Sequence, residues 1–105
     1  MMTFSERVLK LALSIPKGRV STYGRIARAG GAGPMASQSI TTILSKAWEA
    51  GEHKIPWHRI VYADGRVWVN EDHKAERLRL YKKEGIKIDK NGRIIDFNKV
   101  LFEFK

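Results

Sequence analysis

The residues with the strongest chemical potential stand in Pro56-Trp57-His58-Arg59-Ile60-Val61, with Glu84 further along the chain. A His and a Glu can work as a general acid–base pair. A hydrolase built on His58 and Glu84 would also need a nucleophile or a metal cluster, and the sequence supplies neither beside them. The chain contains no cysteine, which excludes disulfides, thiolate metal sites and any thiol nucleophile. Trp57 offers a large, apolar, polarisable face rather than reactivity. Composition alone favours the plain reading, with Trp57 as a core anchor and His58 and Arg59 as satisfied polar neighbours.

The elements that carry these residues follow from local pattern. Pro56 fixes its own φ and pushes Ile55 toward an extended conformation. Ile60-Val61-Tyr62 then reads as a strand, so Trp57 falls at a loop-to-strand junction, a common place for a binding residue. With Asp64-Gly65 as the turn and Val67-Trp68-Val69 as the return strand, a β-hairpin is predicted. Beyond Asn70, Glu71-Asp72 opens the last predicted helix, which runs through Leu78, Leu80 and Tyr81 to Glu84 with Gly85 as C-cap. A second small hairpin is expected from Ile86-Lys87-Ile88 and Arg93-Ile94-Ile95 around Asn91-Gly92. The aromatics of Val100-Leu101-Phe102-Glu103-Phe104 are expected to pack back on the domain.

The first half reads as three helices. Thr3 and Glu6 form a capping-box pattern ahead of a helix to Ser14, and Ile15-Pro16-Lys17-Gly18-Arg19 is a turn. Val20 is extended, and Ser21 or Thr22 caps a short helix from Tyr23 to Ala29. Gly30-Gly31-Ala32-Gly33-Pro34 lacks the strand and the Gly-Lys-Ser/Thr ending of a phosphate loop, so it reads as a tight connection. Ala36 or Ser37 begins a third helix through Ile40, Leu44 and Trp48. A short helix, a Gly-containing turn and a helix carrying Ser37, Gln38, Ser39, Thr41 and Thr42 suit a helix-turn-helix. Small polar side chains let such a helix sit deep in a groove. An ordinary helical hairpin with a polar outer face fits the pattern equally well.

Charge separates the two. The 105 residues hold 20 Lys plus Arg against 11 Asp plus Glu, a formal net charge of +9. An excess of that size on one domain's worth of chain points to a polyanion, nucleic acid first. Membrane binding is the weaker option: the basic residues are not gathered on one amphipathic helix, and no apolar run approaches the roughly 20 residues of a bilayer span. Met1-Met2-Thr3-Phe4-Ser5-Glu6 has no signal-peptide layout. No metal or cofactor site is expected.

These pieces together resemble one family. Ile15-Pro16-Lys17-Gly18-Arg19-Val20-Ser21-Thr22-Tyr23-Gly24, Ile26-Ala27, Pro56-Trp57-His58-Arg59-Ile60, Asp64-Gly65 and Glu84-Gly85-Ile86 look like the DNA-binding domain of O6-alkylguanine-DNA alkyltransferases. In those enzymes Pro-Cys-His-Arg supplies the alkyl-accepting cysteine. Here Trp57 holds its place, as in the alkyltransferase-like proteins, which recognise the lesion without repairing it. The resemblance runs through nearly the whole chain, most clearly residues 3 to 86.

The resemblance implies a mainly α (α+β) fold, a winged-helix-like helix-turn-helix DNA-binding domain with a small β-hairpin, filling residues 1–105 as one domain. It implies a protein that is not an enzyme and that flips O6-alkylguanine into a pocket of Trp57, Tyr23, Pro56, Val67, Trp68, Val69 and Asn70. Ser37, Gln38, Ser39, Thr41 and Thr42 would join Tyr23 on the DNA, while His58, Arg59 and Glu84 would persist as bracing from the family's relay. Where the family inserts an arginine into the base stack, this sequence has Gln38 or, by another register, Ser37. The implied partners are double-stranded DNA containing O6-alkylguanine and nucleotide-excision repair proteins, for a monomer. The expected location is cytoplasmic, at the nucleoid in a prokaryote, or nuclear in a eukaryote. The competing reading is a small helix-turn-helix regulator without lesion specificity, which predicts preference for a sequence rather than a modification.

Overall fold

The computed structural model of the chain describes residues 2–32, 37–67 and 74–104, for Ser37 and Gln38 the backbone only. Helix α1 spans Phe4–Leu13, and its first turn is closed by the predicted capping box. The Thr3 hydroxyl accepts from the Glu6 N–H while the Glu6 carboxylate accepts from the Thr3 N–H, both at 3.1 Å. Helix α2 spans Tyr23–Ala29 as expected, and Thr22 rather than Ser21 caps it, its Oγ1 accepting from the Arg25 N–H. Helix α3 spans Ser37–Glu49.

Apolar residues at helical spacing place these three helices face to face. Val8 and Ala12 of α1, Ile26 and Ala27 of α2, and Ile40 and Leu44 of α3 are all fully buried in one core. Each larger member contributes about 1.5–3 kcal/mol by leaving water. The closeness of α1 to the end of α2 shows at Gly30, where a Cβ would lie 2.9 Å from the Phe4 ring. A larger residue there would have to displace the Phe4 ring. Helices α2 and α3 are the two helices of the predicted helix-turn-helix; residues 33–36 of the expected tight connection between them lie outside the described residues.

The β part differs from the prediction. Strand β2, Ile60–Val61, does not return on itself; it pairs in parallel with β1, Ser21–Thr22, in the register Ser21↔Ile60 and Thr22↔Val61. All four residues are buried. A strand covered on both faces belongs between layers rather than in an exposed hairpin, and that burial overrides the local turn signal. The Asp64-Gly65 turn itself is present: Gly65 has φ +84°, and the Tyr62 N–H reaches the Arg66 carbonyl at 3.0 Å. Past the turn, however, the chain pairs with the later hairpin, through Arg66↔Arg93 and the Val67 N–H to the Gly92 carbonyl. That later hairpin is as expected, with Ile88 opposite Ile94.

A second core of Val20, Val61, Val67, Tyr81, Ile86 and Ile94 joins this region to helix α4, Lys74–Lys83. The expected start of that helix at Glu71-Asp72 lies outside the described residues. Its end is as predicted: Gly85 has φ +76°, and the Ile86 N–H returns to the Tyr81 carbonyl in a Schellman cap. It is not the last helix, because a four-residue α5, Phe97–Val100, follows. The chain then runs beside β1, Val20 bridging Leu101, and Phe102 and Phe104 pack edge to face on the first core. The fold is therefore mainly α with a small β part, as expected, although the β part is a parallel pair rather than the first hairpin.

Candidate functional site

Pro56 breaks the chain's direction, and Trp57–Arg59 forms a single 3-10 turn immediately before β2. This turn faces a cleft of about 1010 Å³ between α3 and α4, a size at the top of the range for small-molecule sites. Helix α3 presents Thr41, Ser45 and Trp48, at positions i, i+4 and i+7. Helix α4 presents Arg77 and Leu80. Trp57 stands between them, partly buried, its ring edge-on to Trp48 at 6.4 Å between centroids. His53, also on the cleft, packs against Trp48 at 4.7 Å between centroids. At the other end Tyr23 and Tyr62 meet at 6.0 Å.

Beneath the turn, three segments meet on one carboxylate. Arg59 donates to Glu84 through two bonds, Nε to Oε1 at 3.1 Å and Nη2 to Oε2 at 2.8 Å. Its remaining Nη1 reaches the Ile15 carbonyl at 3.1 Å. The Gly18 N–H donates to Glu84 Oε1 at 3.0 Å, which the turn allows because Gly18 adopts φ +82°. His58 Nε2 lies 2.6 Å from Oε2. Burial on its own would raise the Glu84 pKa, but donation from Arg59, Gly18 and His58 outweighs it and holds the carboxyl down to about 2. Glu84 is therefore a carboxylate that can only accept, so Nε2 of His58 carries the proton.

Burial shifts His58 itself below its ordinary value of 6.5, against the opposing pull of Glu84. The imidazole is neutral near pH 7. Between the unfolded pKa and the lower folded one, the unfolded chain binds the extra proton, so stability falls as pH drops below about 6.5. The loss from this one group by pH 5.5 is at most about 1.4 kcal/mol, one pH unit of one proton. Denaturant midpoints at pH 7 and 5.5 should show the decline, and His58→Gln, whose amide still donates to Glu84, should flatten it. A slope unchanged in His58→Gln would mean that another group carries it.

The arrangement separates bracing from surface. Glu84 is 5 % exposed, His58 12 % and Arg59 15 %, and their hydrogen bonds tie the 16–19 turn and the 3-10 turn to the C-terminal end of α4. The cleft is lined by the aromatics Trp57, Trp48, Tyr23 and Tyr62 together with charged residues, among them Glu49, Glu76 and Arg77. Desolvation raises the Tyr23 pKa, so its hydroxyl stays protonated, and Thr41 on α3 lies beside it.

Of the residues singled out from sequence, the structure brings Trp57, Pro56, Tyr23 and Thr41 to the cleft and His58, Arg59 and Glu84 to its floor. Val67 is not part of the wall. It is 7 % exposed in the second core, because its strand pairs with residues 92–94. Ser39 and Thr42 are exposed on α3 outside the cleft lining. Trp68, Val69 and Asn70 lie outside the described residues, as do the side chains of Ser37 and Gln38. Sequence reasoning missed Tyr62, Trp48, His53 and Arg77. The α3 stripe of Thr41, Ser45 and Trp48, flanking the buried Ile40 and Leu44, could have identified Trp48; Tyr62 carried no such signal.

Residues 3–86 match the family model described as 6-O-methylguanine DNA methyltransferase, DNA binding domain. A DNA base-flipping protein of Escherichia coli is 28% identical over 92 residues, covering 88% of this chain and 69% of that protein. A bifunctional methyltransferase/endonuclease of Thermoplasma volcanium is 42% identical over 99 residues, 90% of this chain but 29% of that protein. In fold, the chain is similar to S. pombe Atl1 crystallised with damaged DNA containing O6-carboxymethylguanine, at TM-score 0.76 and 22% identity, covering 99% of this chain and 100% of that one. It is also similar to Mycobacterium tuberculosis O6-methylguanine methyltransferase, at TM-score 0.55 and 27% identity, over 80% of this chain and 51% of that one. The chain belongs to the family of the 6-O-methylguanine DNA methyltransferase DNA-binding domain, in an alkyltransferase-like form with Trp57 at the position of the acceptor cysteine.

Proposed function

We propose that this chain is a non-enzymatic sensor of O6-alkylguanine in duplex DNA. The lesion is flipped out of the stack into the cleft against Trp57, held there without alkyl transfer, and passed to nucleotide-excision repair proteins. The observation that carries the reading is the place of Trp57: in the Pro-Trp-His-Arg segment of this family, on the wall of an aromatic cleft, above a braced Glu84. Relatives named base-flipping proteins support it, as does the net charge of +9.

The chemistry is consistent with sensing. Alkyl transfer needs a thiolate activated by a base. The chain has no thiol, and the His58 proton faces Glu84 rather than the cleft. An indole cannot accept the alkyl group in the cysteine's manner, yet it gives a base an apolar surface to stack on. Flipping costs a few kcal/mol and least at a weakly paired lesion, which itself favours damaged sites. Tyr23 is assigned the role of turning the backbone phosphate, and its protonated hydroxyl can donate to a phosphate oxygen.

Fluorescence tests flipping directly. A duplex with 2-aminopurine beside an O6-methylguanine should brighten on binding, as the lesion leaves the stack and its neighbour loses a stacking partner. Tyr23→Phe keeps the ring against Tyr62 and should reduce the rise, while Tyr23→Ala should reduce it further, by several-fold. No rise at saturating wild-type protein would favour the helix-turn-helix regulator reading.

A further inference from the structure

Arg66 follows the Asp64-Gly65 turn at the tyrosine end of the cleft. Its guanidinium carbon lies 5.0 Å from the centroid of the Tyr62 ring, and Tyr62 in turn meets Tyr23 at 6.0 Å. The neighbouring Asp64 carboxylate feels the Arg66 charge, which helps to hold its pKa below the ordinary value after the backbone hydrogen bond, but makes no ion pair with it. Asp64 Oδ1 accepts from the backbone N–H of Arg66, and its Oδ2 lies 3.6 Å from Arg93 Nη2. Among the described residues no carboxylate forms an ion pair with the Arg66 guanidinium. An exposed cation thus sits over the face of an aromatic ring while its donors stay available.

That geometry has a chemical preference. A guanidinium stacked on a ring loses little further freedom when it binds, is weakly hydrated, and presents paired N–H donors that match a phosphate. If a nucleotide enters the cleft beside Tyr23 and Tyr62, its flanking phosphates remain outside at the rim. A cation fixed at that rim meets them.

We propose that Arg66, held on Tyr62, is a backbone-phosphate contact for the DNA strand whose nucleotide enters the cleft. The proposal rests on the base-flipping reading. It places a guanidinium at the tyrosine rim, whereas the family's stack-inserting arginine is replaced here by the uncharged Gln38 or Ser37.

The test is equilibrium binding at several salt concentrations, to an O6-methylguanine duplex and its unmodified twin, for wild type, Arg66→Ala, Arg66→Gln, Arg66→Lys and Arg93→Ala. Arg66→Gln retains part of the stem over Tyr62 and guards against a folding defect. Loss of one phosphate contact should weaken Arg66→Ala and Arg66→Gln by about three- to tenfold and lower the slope of log K against log salt by about 0.9. Arg66→Lys should keep the slope and recover only part of the affinity. Arg93→Ala, already paired with Asp64, should leave the slope in place. An unchanged slope in Arg66→Ala and Arg66→Gln, or an equal drop in Arg93→Ala, would overturn the proposal. Failure of the flipping reading appears separately, as no wild-type preference for the modified duplex, and the slopes still decide the role of Arg66.

Discussion

Replacing Trp57 by Ala should abolish most of the preference for O6-methylguanine DNA while changing affinity for undamaged duplex by less than about threefold. Stacking of a base on an aromatic side chain contributes about 1–3 kcal/mol, a factor of roughly five to more than a hundred in affinity. In this cleft the flipped base would gain that stacking, whereas a base that remains in the duplex would not. The variant also removes the edge contact to Trp48, so Trp57→Phe is the informative companion. A smaller ring should retain part of the preference. Competition binding with the two duplexes measures both effects, and equal losses on both would argue that Trp57 is a fold residue rather than a lesion wall.

The second large effect concerns stability. Glu84→Ala should destabilise the protein by about 3–5 kcal/mol, because it strands the Arg59 guanidinium in a mostly buried site. Among the described residues, only the Ile15 carbonyl would remain as a hydrogen-bond partner of the Arg59 guanidinium. For a chain of this size the melting temperature should drop by more than about 10 °C. Glu84→Gln retains an acceptor oxygen and should cost less. The pH dependence follows from the lowered pKa: the stabilisation is fully present above the ordinary carboxylate value of 4.5 and is lost as pH falls through about 2. Wild type should therefore lose this increment between about pH 4.5 and pH 2, beyond the decline that His58 begins near pH 6.5. Glu84→Ala should lack the lower step. Thermal melts over that range read both.

Local signals in the sequence identified the elements where a short-range cause decides them. The capping box at Thr3 and Glu6, the proline and glycine of the first turn, the helix Tyr23–Ala29 and the Gly85 cap all lie where local pattern puts them. The bracing cluster was legible too, although only through family resemblance, since His58 and Glu84 are 26 positions apart. The parallel pairing of Ser21–Thr22 with Ile60–Val61 was not legible. Two-residue strands carry no periodicity, and Asp64-Gly65 offered a local hairpin that burial of Val61 and Val67 in one core overrode. Val67 was misplaced in the pocket for the same reason. Trp48 and Tyr62 enter the cleft through packing between distant segments, which no spacing rule encodes, except for the α3 stripe that carries Trp48.

The central claim is that the cleft prefers an alkylated guanine. The most direct test is equilibrium binding of the wild-type protein to a short duplex with one O6-methylguanine and to its unmodified twin, at the same stated salt, since phosphate contacts make affinity salt-dependent. A preference of about tenfold or more, roughly 1.4 kcal/mol, is the predicted result. Equal affinity for the two duplexes would contradict the account and leave a basic helix-turn-helix protein without a lesion site.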